Sequence, residues 1–280
     1  MVQNIKSVLI GLMKEFSPDE ASPALGYGLS LAQQAGAHVT VQAASVKLAL
    51  TSAWVSKFAA DLVGAENRRL QELADTAACN AQANAAAAGV ACSIETPHLG
   101  YPDLLNAFRS QARLHDLTIL DAETETVNLD RGLIEALLMD SGRPLLIVPT
   151  GREVFRAKRI ILAWDGSARA ARAAADALPF LRAAEAVDVV SVTGEKDLPD
   201  TVAGAGIAAH LARHDVAVTA MNVDAQEGDV AQALRDIADK SRADMIVMGG
   251  YVHSRLRELV FGGVTQSLLR QSSVPLFMAY

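Results

Sequence analysis

The 280-residue chain has little of what marks several large classes of protein. It carries only two cysteines, Cys79 and Cys92, in Ala-rich surroundings and without a C-x-x-C spacing, so it is no disulfide scaffold; the pair reads as two reduced, inert thiols of a cytoplasmic protein. Aromatic residues make up 5%, and the 51% apolar content therefore comes mainly from Ala, Val, Leu and Ile, the filling of helix-on-sheet packing rather than of a disordered or fibrous chain. Basic charge is in deficit. With 25 Lys and Arg against 32 Asp and Glu, the net charge of -7 gives neither a footprint for nucleic acid nor a polybasic membrane anchor. No run approaches the roughly 20 apolar residues needed to span a bilayer. The first apolar run is broken by Lys6 and Lys14, too short for a secretory core with its cleavage site. Motifs of covalent and metal catalysis are missing too: there is no G-x-S-x-G elbow, no H-E-x-x-H and no Walker A lysine followed by Ser or Thr.

What is present is a repeat. Ser7-Val-Leu-Ile-Gly-Leu aligns with Arg159-Ile-Ile-Leu-Ala-Trp, Val39-Thr-Val-Gln-Ala-Ala with Val187-Asp-Val-Val-Ser-Val, and Gly89-Val-Ala-Cys with Asp215-Val-Ala-Val. The segment ending in Asp116-Leu-Thr-Ile-Leu matches that ending in Asp244-Met-Ile-Val-Met, and Arg143-Pro-Leu-Leu-Ile-Val matches Val274-Pro-Leu-Phe-Met-Ala. Each run is short and rich in β-branched residues. Between them lie Ala-rich stretches of helical length, over 22–35, 65–88, 102–113, 168–184, 207–213 and 229–241. Strands alternating with helices predict βαβ units and hence a parallel sheet covered on both faces. The fold class is therefore α/β: two domains, 1–150 and 157–280, each a five-stranded parallel sheet flanked by helices, joined near Pro149-Thr-Gly-Arg-Glu-Val.

The offset between matching residues falls from 152 at the first strand (Val8 against Ile160) to 128 at the fourth (Asp116 against Asp244), so the first copy carries an insertion. In it Val46, Leu50, Trp54, Phe58 and Leu62 fall four apart, which predicts a helix over 45–64 with one apolar face. Two readings stay open: a cover for its own domain, or an arm that binds a partner.

Ligands of a doubly wound sheet bind at the carboxyl ends of the strands. In the second copy the first strand ends in Trp164-Asp165-Gly166-Ser167, and the fourth in Met248-Gly249-Gly250, followed by Gly262-Gly263-Val264-Thr265 at the start of the last helix. Glycines let backbone N–H groups approach an anion, and a helix N-terminus adds partial positive charge. With these strand ends the sequence resembles the universal stress protein family, as a tandem of two such domains. The resemblance implies a Rossmann-like, adenine nucleotide alpha hydrolase-like fold. It implies ATP or AMP as ligand of the second domain, with Asp165 and Val192 at the adenosine and Met248, Gly249, Val252, Gly262, Gly263, Val264 and Thr265 along the rest of the nucleotide. It also implies an intramolecular pseudo-dimer whose final strands, near Leu145–Pro149 and Leu276–Tyr280, run antiparallel at the junction; a further homodimer is left open.

The chain departs from that family's Gly-x-x-Gly, nine residues, Gly-(Ser/Thr) pattern at two positions: Val252 stands for the second glycine and Gly263 for the Ser/Thr. A left-handed backbone at Val252 would cost about 1 to 2 kcal/mol. The missing hydroxyl removes a phosphate hydrogen bond of roughly 1 to 3 kcal/mol. Gly250 and Thr265 are the residues placed to compensate. The first copy has no aspartate after its first strand, and its fourth runs into Asp121, Glu123 and Glu125, where phosphate would meet carboxylates; its second glycine-rich segment is replaced by Asp140-Ser-Gly-Arg-Pro144. Three functions follow as expectations: a stress-response ligand sensor or scaffold, a protein-interaction module with both pockets vestigial, or a slow ATPase. No metal is implied. His210 and His214 are four apart but lack a third ligand, and His98 with Tyr101 reads as a loop cap.

Overall fold

The computed structural model describes residues 2–13, 22–50, 57–122, 128–193, 204–225, 228–250, 252–253 and 260–280. The first half builds β1 (Ser7–Met13), α1 (Pro23–Ala35), β2 (His38–Val46), α2 (Lys57–Ala88), β3 (Cys92–Glu95), β4 (His98–Leu99), α3 (Tyr101–Ala112), β5 (Leu117–Asp121), α4 (Asn128–Asp140) and β6 (Leu145–Val148). The second builds β7 (Arg159–Ala163), α5 (Ala168–Asp176), α6 (Leu178–Ala183), β8 (Ala186–Thr193), α7 (Ala205–Ala212), β9 (Val218–Asp224), α8 (Val230–Ser241), β10 (Met245–Gly249), β11 (Val252–His253), β12 (Val260–Phe261), α9 (Gly263–Gln271) and β13 (Leu276–Ala279).

One sheet runs through both halves in the order β3-β2-β1-β5-β6-β13-β10-β7-β8-β9, with β4 added beside β2. All neighbours are parallel except β6 and β13, which pair antiparallel. The registers repeat. Val8 pairs with Val39 and Leu117 as Ile160 pairs with Val187 and Met245. At the junction Leu276 faces Ile147, Phe277 faces Leu146 and Met278 faces Leu145, a pairing that maps onto itself when Leu145–Val148 is exchanged for Leu276–Ala279. A pseudo-twofold axis therefore passes through the Leu146–Phe277 pair, normal to the sheet, and the two apolar last strands cover each other's edges.

Alternation along the strands sorts the core into two layers. Val8, Ile10, Val39, Val41, Ile160 and Val187 pack under α1, α2, α5, α6 and α7, while Leu9, Ala44, Ile161 and Ile246 pack under α3, α4, α8 and α9. The same polar device opens both halves: the Asp116 carboxylate accepts the N–H groups of Lys6 (2.7 Å) and Ser7 (3.0 Å), and that of Asp244 accepts those of Lys158 (2.9 Å) and Arg159 (3.0 Å).

Two local expectations change. The stretch 168–184 is two helices, α5 and α6, because Pro179 has no N–H to continue the first and starts the second instead. The helix over 45–64 is not formed at its start: Ser45 and Val46 extend β2 against β4, and the Asn67 side chain brackets the Leu48 backbone with bonds of 2.7 and 3.0 Å. Cross-strand pairing thus outweighs the four-residue spacing. Trp54 lies outside the described residues, 51–56; from Lys57 the chain is helical for 32 residues, about 48 Å, without a break into the 65–88 helix. Burial on α2 begins at Leu70; Phe58 is 78% exposed and Leu62 61%, so that end does not cover its own domain. The residues that join the halves are packed in place: Phe155 is buried between Tyr27 and Phe180, at 5.4 and 5.9 Å between ring centroids, and Phe180 meets Phe277 at 5.6 Å.

Candidate functional site

In the second half the chain leaves β7 toward β8 on one side and reaches β10 on the other, so the strand order reverses between β7 and β10. Loops and helices that follow these two strands diverge to opposite faces and leave a crevice above their carboxyl ends. Asp165 stands two residues beyond β7, exposed to solvent. Gly166 turns the chain at φ 73°, the left-handed region that glycine enters without a Cβ penalty, and Ser167 then caps α5 by accepting the Ala170 N–H. Asp165 Oδ1 accepts the Ser167 N–H at 2.9 Å. The aspartate is therefore fixed by the turn that starts α5, while the helix cap itself is Ser167.

Val192, one residue from the end of β8, is half-buried and packs in the same layer as Met248 and Val264, with Met248 buried beneath the crevice. Gly249 ends β10. A Cβ there would lie 2.7 Å from the Ala170 nitrogen and 2.9 Å from the Arg169 Cβ, so the close approach of α5 to β10 requires glycine at this position. Gly250 serves the opposite face, where a side chain would strike Leu138 of α4. Val252 is extended and pairs antiparallel with Phe261, so the left-handed penalty set against it in the sequence does not arise. Gly262 is the N-cap of α9, its carbonyl accepting the Gln266 N–H at 2.9 Å, and it offers no side chain to the first turn. That turn contains no acidic residue, which leaves the positive end of the helix dipole available to an anion. Gly263 is exposed, and a Cβ there would meet nothing within 4 Å. Thr265 is buried in the same turn, on the core side of the helix.

The corresponding place in the first half is built differently. The shared registers set Asp121 where the second half has Gly249, and its carboxylate accepts the Ser22 hydroxyl and the Ala24 N–H, both at 2.7 Å. An internal anion thus caps α1. Glu123 and Glu125 lie outside the described residues. The segment Asp140–Pro144 is not the counterpart of Gly262–Gly263: it ends α4 and leads into β6, where Ser141 brackets Arg143 as Ser272 brackets Val274 before β13. The same register sets Arg131 and Gly132, in α4, where the second half has Gly262 and Gly263, so the sequence comparison placed that segment too far along the chain.

Other candidates are absorbed by local structure. His98 Nδ1 bonds Ser45 Oγ at 2.8 Å across β4 and β2. The rings of His210 and His214 lie 4.8 Å apart, and among the described residues no group of three His, Cys, Asp or Glu gathers that would hold a metal. Both cysteines are free; burial pushes the Cys92 thiol above its ordinary range, opposed in part by the Val41 backbone, so it is not an activated nucleophile. No described helix is long and apolar enough to cross a membrane. One pair escaped the sequence reading: Arg169, in the first turn of α5, stacks on the ring of Tyr280 at 4.5 Å and donates from Nη2 to its hydroxyl at 3.1 Å. The only local signal was a cation one residue inside a helix start.

With this geometry in hand, comparison with known proteins finds a match between residues 156–279 and the universal stress protein family model. The chain is 25% identical over 169 residues, 57% of its length, to a universal stress protein of Synechocystis sp., and 37% identical over 57 residues, 20% of its length, to the stress response protein NhaX of Bacillus subtilis. These matches span 56% and 34% of the relatives' own lengths, so the chain covers about half or less of the curated relatives it matches. Among solved structures, a universal stress protein from Archaeoglobus fulgidus superposes with TM-score 0.71 at 16% identity, over 98% of this chain and 97% of that one. A functionally unknown protein from Pseudomonas aeruginosa superposes with TM-score 0.58 at 14% identity, over 98% and 92%. At such identities the likeness is one of fold.

Proposed function

We propose that the chain, whose residues 156–279 match the universal stress protein family model, is a cytoplasmic stress-response module of that family whose second domain binds an adenine nucleotide, ATP or AMP, and whose first domain is its structural partner. The observation that carries this reading is the difference between two equivalent crevices. Where the first half fills the end of its fourth strand with the Asp121 carboxylate, the second keeps Gly249, an uncapped α9 and an exposed Asp165. Asp165 would hold the adenosine, Val192 would flank the base, and Gly262, Gly263 and Val264 would present N–H groups to phosphate. The extended backbone at Val252 leaves the absent hydroxyl at Gly263 as the main weakness of the site, worth about one decade in affinity.

The purified chain, heated to release bound small molecules and then titrated calorimetrically with ATP and AMP, tests this. Adenine nucleotide in the supernatant or a saturable titration lost in Asp165→Ala is the expected result, and Gly263→Ser, which has open space for its side chain, should tighten binding about tenfold. No binding by the chain or by Gly263→Ser refutes the reading.

A second reading, a protein-interaction module, is favoured by the exposed Phe58 and Leu62 on the projecting end of α2. Pull-down by the whole chain that is lost in Phe58→Ser with Leu62→Ser, in a chain that binds no nucleotide, would select it.

A further inference from the structure

The shared sheet has two outer edges, and they are finished differently. At one end β3 is four residues long, closes on Glu95, and is broken by Pro97 before β4 resumes the pairing with β2. A short strand, a carboxylate and a proline are the features that blunt an edge against further pairing. At the other end β9 is seven residues long, and Val218–Val223 contains no proline, no glycine and no charged side chain. Among the described residues, β8 is its only neighbour in the sheet.

The bonds to β8 decide which main-chain groups β9 has left over. The Ala217 carbonyl accepts the Val187 N–H and the Ala225 N–H donates to the Thr193 carbonyl, both at 2.8 Å. In a parallel pair every second residue turns its N–H and C=O to the same neighbour, so the odd-numbered residues of β9 face β8. Val218, Ala220, Asn222 and Asp224 turn theirs outward, and none of these groups has a partner among the described residues. Of the side chains, Thr219, Ala220, Asn222 and Asp224 are exposed.

We propose that this edge pairs with β9 of a second copy of the chain, antiparallel, about a twofold axis that passes between the two Met221 residues. With Met221 opposite itself, Val218 faces Asp224 of the second copy and Ala220 faces Asn222, each pair occurring twice. All four outward residues are then used. Each such pair exchanges two bonds, giving about eight hydrogen bonds, within the roughly 5 to 15 of a typical interface. The two Asp224 carboxylates stand about 20 Å apart along the strands, so no like charges meet. The contact continues the sheet that β6 and β13 already carry from one half to the other by the same antiparallel joining of outer strands. Because the β3 edge is blunted, pairing stops at two copies instead of running on into a fibre. A single strand edge buries little side-chain surface, which places the dimer among small interfaces with a dissociation constant of about micromolar order.

Sedimentation velocity on the whole chain, from about 1 to 200 µM, tests the proposal and should show a monomer–dimer equilibrium. Asn222→Lys, which sets a charge on the exposed edge, and Ala220→Pro, which removes an outward N–H, should each weaken it about tenfold or more. In a Cys79→Ser, Cys92→Ser background, Met221→Cys should form a disulfide between copies under mild oxidation. Non-hydrogen-bonded partners stand about 4.5 Å apart at Cα, a span that a disulfide bridges. Thr219→Cys, which faces Val223 of the second copy, should not cross-link. A monomer over the whole range overturns the proposal, and so it would if a strand of another protein takes this edge instead. A dimer that both β9 substitutions leave unchanged overturns it as well. Far-UV circular dichroism and Tm equal to those of the unmodified chain show that a variant has lost pairing and not its fold.

Discussion

Replacing Phe155 by Ala probes whether the segment between the two halves is a tether or a structural bolt. The ring is buried, edge-on to Tyr27 at 5.4 Å and to Phe180 at 5.9 Å, so it touches α1 of the first half and α6 of the second at once. The flanking backbone is also held: Gln34 Nε2 donates to the Phe155 carbonyl and the Tyr27 hydroxyl to that of Arg156, both at 3.3 Å. Truncating a fully buried Phe costs about 3 to 5 kcal/mol, of which each edge-on ring pair contributes about 0.5 to 1.5. We expect a loss of about 4 kcal/mol, close to three decades in the folding equilibrium and a large share of the roughly 5 to 15 kcal/mol that folded domains possess. Urea unfolding followed by far-UV circular dichroism measures it, with Phe155→Leu as a control that keeps most of the volume and should cost about 1.5 kcal/mol or less. A loss below about 1 kcal/mol for Phe155→Ala would show that residues 151–156 merely connect the halves, and the packing argument would be wrong.

Alkaline stability should depend on Tyr27. Burial, with Asp244 nearby, raises its phenol well above the ordinary value of 10, outweighing the Arg156 carbonyl contact, so the folded state keeps a proton that the unfolded chain releases. Its contribution is complete below about pH 10 and is lost as pH climbs from there toward the folded value, so stability should fall more steeply above pH 10 than in Tyr27→Phe, as read from Tm against pH; parallel curves would sink the assignment. Asp116→Ala and Asp244→Ala should each cost about 2 to 3 kcal/mol in urea unfolding, since each carboxylate accepts two backbone N–H groups, and the double variant should show nearly the sum. Unequal costs differing by more than about 1.5 kcal/mol would mean that the two halves do not use the device alike.

Much of the fold was legible because it is written in near neighbours. Runs such as Val8-Leu-Ile and Ile160-Ile-Leu name parallel strands through β-branched and aliphatic side chains, and the Ala-rich stretches between them mark helices. The paired aspartates 116 and 244 were recognisable as equivalents from order alone, and the backbone N–H groups that each accepts show their common role. Where the reading failed, a partner distant in sequence had decided the matter. The four-residue spacing from Val46 to Leu62 was genuine, but β4 and Asn67 drew its first part into a strand and an irregular turn. Pro179 was a near-neighbour signal that the composition of an Ala-rich stretch concealed.

The candidate site divides in the same way. The sequence alone determined the main strands, most of the longer helices, their order and the glycine-rich ends at 249–250 and 262–263, since propensity, periodicity and turn chemistry act within a few residues. Only the tertiary structure decided that Gly249 is demanded by the approach of α5, that Val252 is extended, that Asp121 reaches 97 residues back to cap α1, and that Arg169 meets Tyr280 across 111 residues. Those contacts depend on which strand ends become neighbours in space, and that order, set by crossovers and by the antiparallel meeting of β6 and β13, is a property of the packed sheet rather than of any local stretch of chain.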